Sequence, residues 1–152
     1  MPIRIICVGK KHESWVDVGI QRYQKRLKDS FKIEWVLLAH SSLTDATARQ
    51  EESRRILLRL NANDYVILLD ECGESVDSIK LSKLLLSKIE TSQKVVIIIG
   101  GAYGVDETVK SRSNFICSLS QLVFPHQLVR LILIEQLYRS QEIARGNPYH
   151  HG

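Results

Sequence analysis

A single α/β domain with a mainly parallel sheet flanked by helices follows from two features of this 152-residue sequence: strand-like and helix-like segments alternate along it, and the strand-like ones are nearly continuous apolar runs. Strands buried on both faces read that way, and the alternation supplies the crossover helices that a parallel sheet requires. The length suits one domain of about 100–200 residues. No internal repeat, low-complexity tract or linker divides residues 1–152.

The elements follow in order. Ile3–Val8 is a β-branched run ending at Gly9, the first buried strand. His12–Leu27 carries Trp15, Val16, Gly19, Ile20, Tyr23 and Leu27 at helical spacing, with Arg22, Lys25, Arg26 and Lys28 elsewhere on its surface. Lys32–Leu38 is a second strand. Thr44–Leu60 is a second helix, with Ile56, Leu57 and Leu60 inward and Arg49, Arg54, Arg55 and Arg59 outward. Tyr65–Leu69 is a third strand closed by the turn-forming Asp70-Glu71-Cys72-Gly73. A helix over Ser78–Glu90 starts after Asp77, a suitable N-cap. Val95–Ile99, the most hydrophobic strand, runs into Gly100-Gly101-Ala102-Tyr103-Gly104. A helix over Val105–Arg112, the apolar piece Phe115–Cys117 and the stretch Leu119–Phe124 come next. Pro125 then opens a long helix, His126–Arg145, stopped by Gly146 and Pro148.

Composition sets limits on function. The chain is 44% hydrophobic and 25% charged, with a formal charge of +4, a mild excess that permits a phosphate-bearing partner without requiring one. Cys7, Cys72 and Cys117 are an odd number at wide spacing, so neither a disulfide framework nor a zinc site is expected. The N-terminus lacks the features of a signal peptide, and no apolar run approaches the roughly 20 residues needed to span a bilayer, so a cytoplasmic protein with no membrane or metal partner is expected. In the last helix only Arg130 interrupts Leu128–Ile134. A helix apolar all round needs cover on more than one side: either a loop of its own chain or, as we favour, a second copy across a two-fold interface.

Three stretches are candidates for chemistry. The Gly100–Gly104 turn ends a parallel strand, where backbone without Cβ atoms can approach a ligand, although it is neither a P-loop nor a dinucleotide fingerprint. Leu119-Ser120-Gln121-Leu122-Val123-Phe124-Pro125-His126 joins two buried elements and leaves backbone amides to be satisfied, a need that a bound heterocycle can meet. The tail Asn147-Pro148-Tyr149-His150-His151-Gly152 offers hydrogen-bond donors and an aromatic face for an unpaired base. No nucleophile or paired-carboxylate constellation stands out. That suits transfer of an already activated methyl group, where the protein mainly aligns the reactants and manages one proton.

Read together, VGK at Val8–Lys10, YQKRL at Tyr23–Leu27, IIIGGAYG at Ile97–Gly104, the stretch Ser113–Ser140 and the terminal NPYHHG resemble the RlmH family of SPOUT-class methyltransferases, end to end and most densely from Ile97 onward. The resemblance implies a C-terminal trefoil knot, which periodicity does not show. It also implies S-adenosylmethionine-dependent methylation of N3 of a pseudouridine in large-subunit ribosomal RNA, on the ribosome, by a homodimer whose sites are completed by the partner's tail. The matching cofactor positions are Leu69, Gly100 and Leu119, Ser120, Gln121, Leu122, Val123 and Phe124. The matching positions nearest the target base are His126, Arg139, Tyr149 and His150. Either His126 or His150 would assist loss of the N3 proton; Arg139 would bind phosphate or the base anion, and Tyr149 would stack on the base. The bland alternatives are that His126 simply caps the helix and that Arg139 pairs with Glu135 four residues earlier. Another RNA target such as tRNA, or a ribosome-binding module without catalysis, is the alternative.

Overall fold

The computed structural model describes residues 2–152. Five strands, β1 (Ile3–Val8), β2 (Ile33–Leu38), β3 (Tyr65–Ser75), β4 (Val95–Ile99) and β5 (Phe115–Ser118), form one parallel sheet in the order β2-β1-β4-β3-β5. The helices are α1 (Ser14–Gln24), α2 (Asp45–Leu57), α3 (Ser78–Glu90), α4 (Glu107–Arg112) and α5 (His126–Ala144). Strand periodicity splits the core in two. Ile3, Ile5 and Cys7 of β1, Ile67 of β3 and Val95, Ile97 and Ile99 of β4 pack against α1, α3 and α5. Ile6 and Val8, Val66 and Leu68, and Val96 and Ile98 pack against α2 and α4 on the opposite face. Both faces are thus covered, as the unbroken apolar strands require.

Local signals set the helix starts. Asp77 accepts from Lys80 N at 2.7 Å and so caps α3, as expected. Asp106 caps α4 through Thr108 N at 3.0 Å and Val109 N at 3.4 Å. This places the α4 start two residues later than its apolar pattern suggests. Trp15 does not face inward as its spacing suggests. It is 55% exposed, because Val16 and Ile20 already fill that side of α1.

The largest departure is in β3. The strand does not close at Leu69: after a register break between Leu69 and Glu74 it resumes pairing, Glu74 with Cys117 and Ser75 with Ser118. Residues 70–73 bulge outward between the two paired stretches. Asp and Gly there read as a turn, but Gly73 serves close approach, since a Cβ on it would lie 2.7 Å from the Ile116 backbone.

Helix α5 is tied to the chain around α1 at both ends. Arg130 is 0% exposed. Its guanidinium donates to Lys11 O (3.0 Å), Val8 O (3.1 Å), Gly9 O (3.3 Å) and His12 Nδ1 (3.2 Å). Gly9 is at φ 121°, and a Cβ there would come within 2.9 Å of Arg130 Nη2. Gln127 accepts from Glu13 N at 3.0 Å and donates to Lys11 O at 3.2 Å. At the far end, Gln141 accepts from Lys28 N at 2.7 Å and donates to Arg26 O at 3.0 Å.

Replacing Arg130 by Met keeps the bulk but strips the donor from three carbonyls. Because hydrogen bonds to charged groups contribute about 1.5–3 kcal/mol each, Arg130→Met is expected to cost about 3 kcal/mol or more. Urea unfolding measures this as a lowered midpoint; a loss below about 1 kcal/mol contradicts the clamp.

Candidate active site

The C-terminal ends of β3, β4 and β5 lie side by side, and the loops leaving them enclose a cleft of ≈ 1070 Å³. Its wall is made of residues 69–72 at the bulge of β3, residues 99–105 after β4, the chain from Leu119 to His126 after β5 apart from Gln121, and Asp45, Ala46, Arg49, Lys110 and Val129 from the neighbouring helices. This is where parallel sheets bind ligands, outside the carboxyl ends of their strands. Of the expected cofactor positions, Leu69, Gly100, Leu119, Ser120, Leu122, Val123 and Phe124 all line it. Gln121 is exposed and not part of the wall.

The cleft suits a nucleoside with an aliphatic arm. Leu69, Ile99, Leu119, Phe124 and Val129 supply apolar surface. The glycine turn supplies approach: a Cβ on Gly100 would sit 3.1 Å from Val105 Cγ1 and 3.3 Å from the Gly104 backbone. The turn is held shut by Gly104 N donating to Gly101 O at 3.0 Å. In the 119–125 loop, Ser120 organises the backbone: its Oγ accepts from Leu122 N and its carbonyl accepts from Ser118 Oγ, both at 2.9 Å. Among the described residues, the amides of Gln121, Val123 and Phe124 have no protein acceptor, leaving donors at the rim. Leu122 and Val123 are exposed there.

His126, at the start of α5, lines the same cleft. Its Nδ1 is buried with no partner among the described residues. Burial, and then the positive charge of Arg130, push its pKa below the ordinary histidine value, so the ring is neutral near pH 7. His12 is lowered for the same two reasons.

The other three expected residues form a separate cluster. Arg139 pairs with Glu135 at 2.7 Å, four residues earlier on α5, and donates to His150 Nδ1 at 3.0 Å. Tyr149 OH donates to Glu135 Oε2 at 2.9 Å, and its ring lies 4.9 Å from the Arg139 guanidinium carbon. Tyr149 and His150 are therefore held against α5, while Asn147, Pro148, His151 and Gly152 are exposed. Burial, then the hydrogen bond to the Glu135 carboxylate, push the Tyr149 hydroxyl up to about 12. An arginine can only donate, so His150 Nδ1 is the acceptor and a neutral ring carries its proton on Nε2. His150 borders a smaller groove of ≈ 420 Å³ between α3 and α5, whose wall shares Leu119 with the cleft.

Within one chain the two groups do not meet. His126 and Arg139 are thirteen residues apart on one helix, about 20 Å along its axis at 1.5 Å per residue. Several participants escaped the sequence reading. Asp70, Glu71 and Cys72 enter the cleft through the β3 bulge. Glu52 is buried at 4% exposure behind the glycine turn. Its signal was present: Ala48, Glu52 and Ile56 recur every four residues on the buried face of α2. Among the described residues no group of three or more histidine, cysteine or acidic side chains is arranged to hold a metal ion. Nor is any described helix long and apolar enough to cross a membrane.

A family model described as "Predicted SPOUT methyltransferase" matches residues 1–150. The chain belongs to the SPOUT methyltransferase family. At closer range it is 40% identical over 154 residues to a protein of Dictyoglomus thermophilum named ribosomal RNA large subunit methyltransferase H, covering 99% of this chain and 100% of that one. The protein of the same name from Syntrophotalea carbinolica is 40% identical over 154 residues, covering 99% of each. Among solved structures, the tRNA (m1G37) methyltransferase of Aquifex aeolicus shares the fold, with a TM-score of 0.51 and 18% identity over 91% of this chain and 70% of that one.

Glu135→Gln removes the carboxylate that holds the Tyr149 proton. Ultraviolet titration, taken as the difference from Tyr149→Phe, is expected to show the Tyr149 midpoint moving down from about 12. A midpoint that stays in place contradicts the cluster.

Proposed function

We propose that this chain is a homodimeric enzyme that methylates N3 of a pseudouridine in large-subunit (23S) ribosomal RNA, with S-adenosylmethionine as donor, in the cytoplasm and on assembled ribosomes. The observation that carries the reading is the convergence of the β3, β4 and β5 loops on one cleft in a chain whose relatives are named for methylation of that RNA. The family's trefoil knot is part of this proposal; the 119–125 loop and the Gly100–Gly104 turn line the same cleft.

The donor supplies a methyl group already activated on a sulfonium, so the residues need only align the acceptor and take up a proton. His126 is our choice for the proton acceptor. It lies in the cleft, is neutral near pH 7, and its Nδ1 has no partner among the described residues. His150 suits a donor role instead, because Arg139 occupies its Nδ1 and leaves Nε2–H free to hold a base oxygen. Arg139 supplies positive charge toward the base anion or a phosphate, and Tyr149 supplies an aromatic edge or face.

The separation of the two groups along α5 supports a dimer, in which the tail cluster of one subunit reaches the cleft of the other. Uncovered apolar surface supports it too. Leu128, Val129, Leu131 and Ile132 of α5 are only half-buried, and Trp15 and Val18 of the neighbouring α1 are exposed. The charge of +4 per chain is modest for binding free RNA, which favours a large assembled particle as target.

Incubating the protein with radiolabelled S-adenosylmethionine and ribosomes from a strain lacking its gene is expected to place label on one pseudouridine of the large-subunit RNA. Label on tRNA, or none despite donor binding, overturns the assignment. Removing a general base typically costs about 10²–10⁴ in rate, so His126→Ala is expected to lower kcat by that order. A kcat within about threefold of wild type excludes His126 as the proton acceptor.

A further inference from the structure

Glu52 is nearly fully buried, at 4% exposure. One carboxylate oxygen, Oε2, accepts from Ser41 N at 2.9 Å. The other, Oε1, has no hydrogen-bond partner among the described residues. No described cation lies within salt-bridge distance of either oxygen. Oε1 points at the glycine turn: a Cβ built on Gly101 would come within 2.9 Å of it. Gly101 itself lines the cleft. The carboxylate therefore stands one peptide layer behind the cleft wall, and the missing side chain lets it come so near.

A buried carboxylate without a cation is costly, and its field is not screened by water as that of an exposed charge is. The charged groups on the cleft wall itself are Asp45, Asp70, Glu71, Arg49 and Lys110, and all five are at least partly open to solvent. Both Glu52 and His40 lie near enough to His126 on α5 to act on its charge. When ionised, Glu52 adds a weakly screened negative field to a pocket whose solvent-open charges, three acidic and two basic, already leave one net negative charge.

We propose that Glu52 makes the cleft favour a positively charged methyl donor over its neutral demethylated product. In the reaction the S–CH₃ bond breaks, its electron pair returns to sulfur, and a C–N bond forms to the acceptor. The acceptor N–H proton leaves through the base to solvent. A sulfonium becomes a neutral thioether, so one positive charge disappears from the cleft at each turnover. The attraction to Glu52 acts on the donor and is absent for the product, which promotes exchange of spent for fresh cofactor. This inference rests on the reading that the cleft takes S-adenosylmethionine.

Isothermal titration of wild type and Glu52→Gln with three probes tests it: S-adenosylmethionine, S-adenosylhomocysteine, and an analogue bearing an ammonium in place of the sulfonium. A unit charge within about 8 Å at an effective dielectric near 20 shifts affinity by about tenfold or more. Wild type is expected to bind both cations at least about tenfold more tightly than the thioether, and Glu52→Gln to lose most of that preference while thioether affinity changes little. Glu52→Asp, which keeps the charge, is expected to keep the preference even if all three affinities fall. Equal weakening of all three by Glu52→Gln, or no cation preference in wild type, overturns the proposal and leaves the cofactor reading intact. Failure of all three to bind wild type overturns the cofactor reading first, and this inference with it.

Discussion

The rest of the structure depends on the buried guanidinium of Arg130. A single side chain at the second turn of α5 satisfies the carbonyls of Val8, Gly9 and Lys11, just where β1 ends and its loop departs. Burying a guanidinium is favourable only when its donors are engaged; here the loop carbonyls and His12 engage both terminal nitrogens, while Nε has no partner among the described residues. This fixes where α5 begins relative to the sheet. The 119–125 loop has β5 at one end and α5 at the other, so fixing α5 also fixes the cleft wall and places His126 in it. The same guanidinium lies beside His12 and helps to hold His126 neutral. Packing and proton chemistry thus share one residue.

A second constraint follows from the length of α5. The helix carries His126 at one end and Arg139 near the other, so a single chain presents a cofactor cleft and a donor cluster as separate features. The cluster is internally complete: Glu135 holds both Arg139 and Tyr149, and Arg139 holds His150. Such a preorganised set of donors, remote from its own cleft, has a use when another cleft is brought to it. In the proposed dimer, the half-buried apolar residues of α5 and the exposed Trp15 and Val18 beside them are the surface available for that approach.

Much of the architecture was legible in residue order. Unbroken apolar strands such as Val95–Ile99 announced burial on both faces, and Asp77 announced the start of α3. Other parts were not. Asp70–Gly73 carries turn chemistry, yet long-range pairing with β5 overrides it and carries the strand on to Ser75. Trp15 has helical spacing but is outcompeted for the core by Val16 and Ile20. Arg130 and Glu52 lie within buried helical stripes in the sequence, but only the fold shows what each one faces: Arg130 the carbonyls after β1, Glu52 the glycine turn. At the site, seven of the eight expected cofactor positions line one cleft, because glycine turns and strand-end loops keep their local character in the fold. The grouping of Arg139, Tyr149 and His150 away from His126 needed the geometry of α5, which no local pattern contains.

The central claim is that the cleft of one subunit works with the tail cluster of its partner. Mixing two inactive proteins tests it most directly: one with the cleft blocked by Gly100→Val, the other with the tail disabled by the double change Arg139→Ala and His150→Ala. After subunit exchange, the mixed dimers hold one intact cleft facing one intact tail, and methylation of ribosomes is expected to recover to a substantial fraction of the wild-type rate. If exchange is verified by mass and activity stays at the level of the two parents, cleft and tail act within the same chain and the account is wrong.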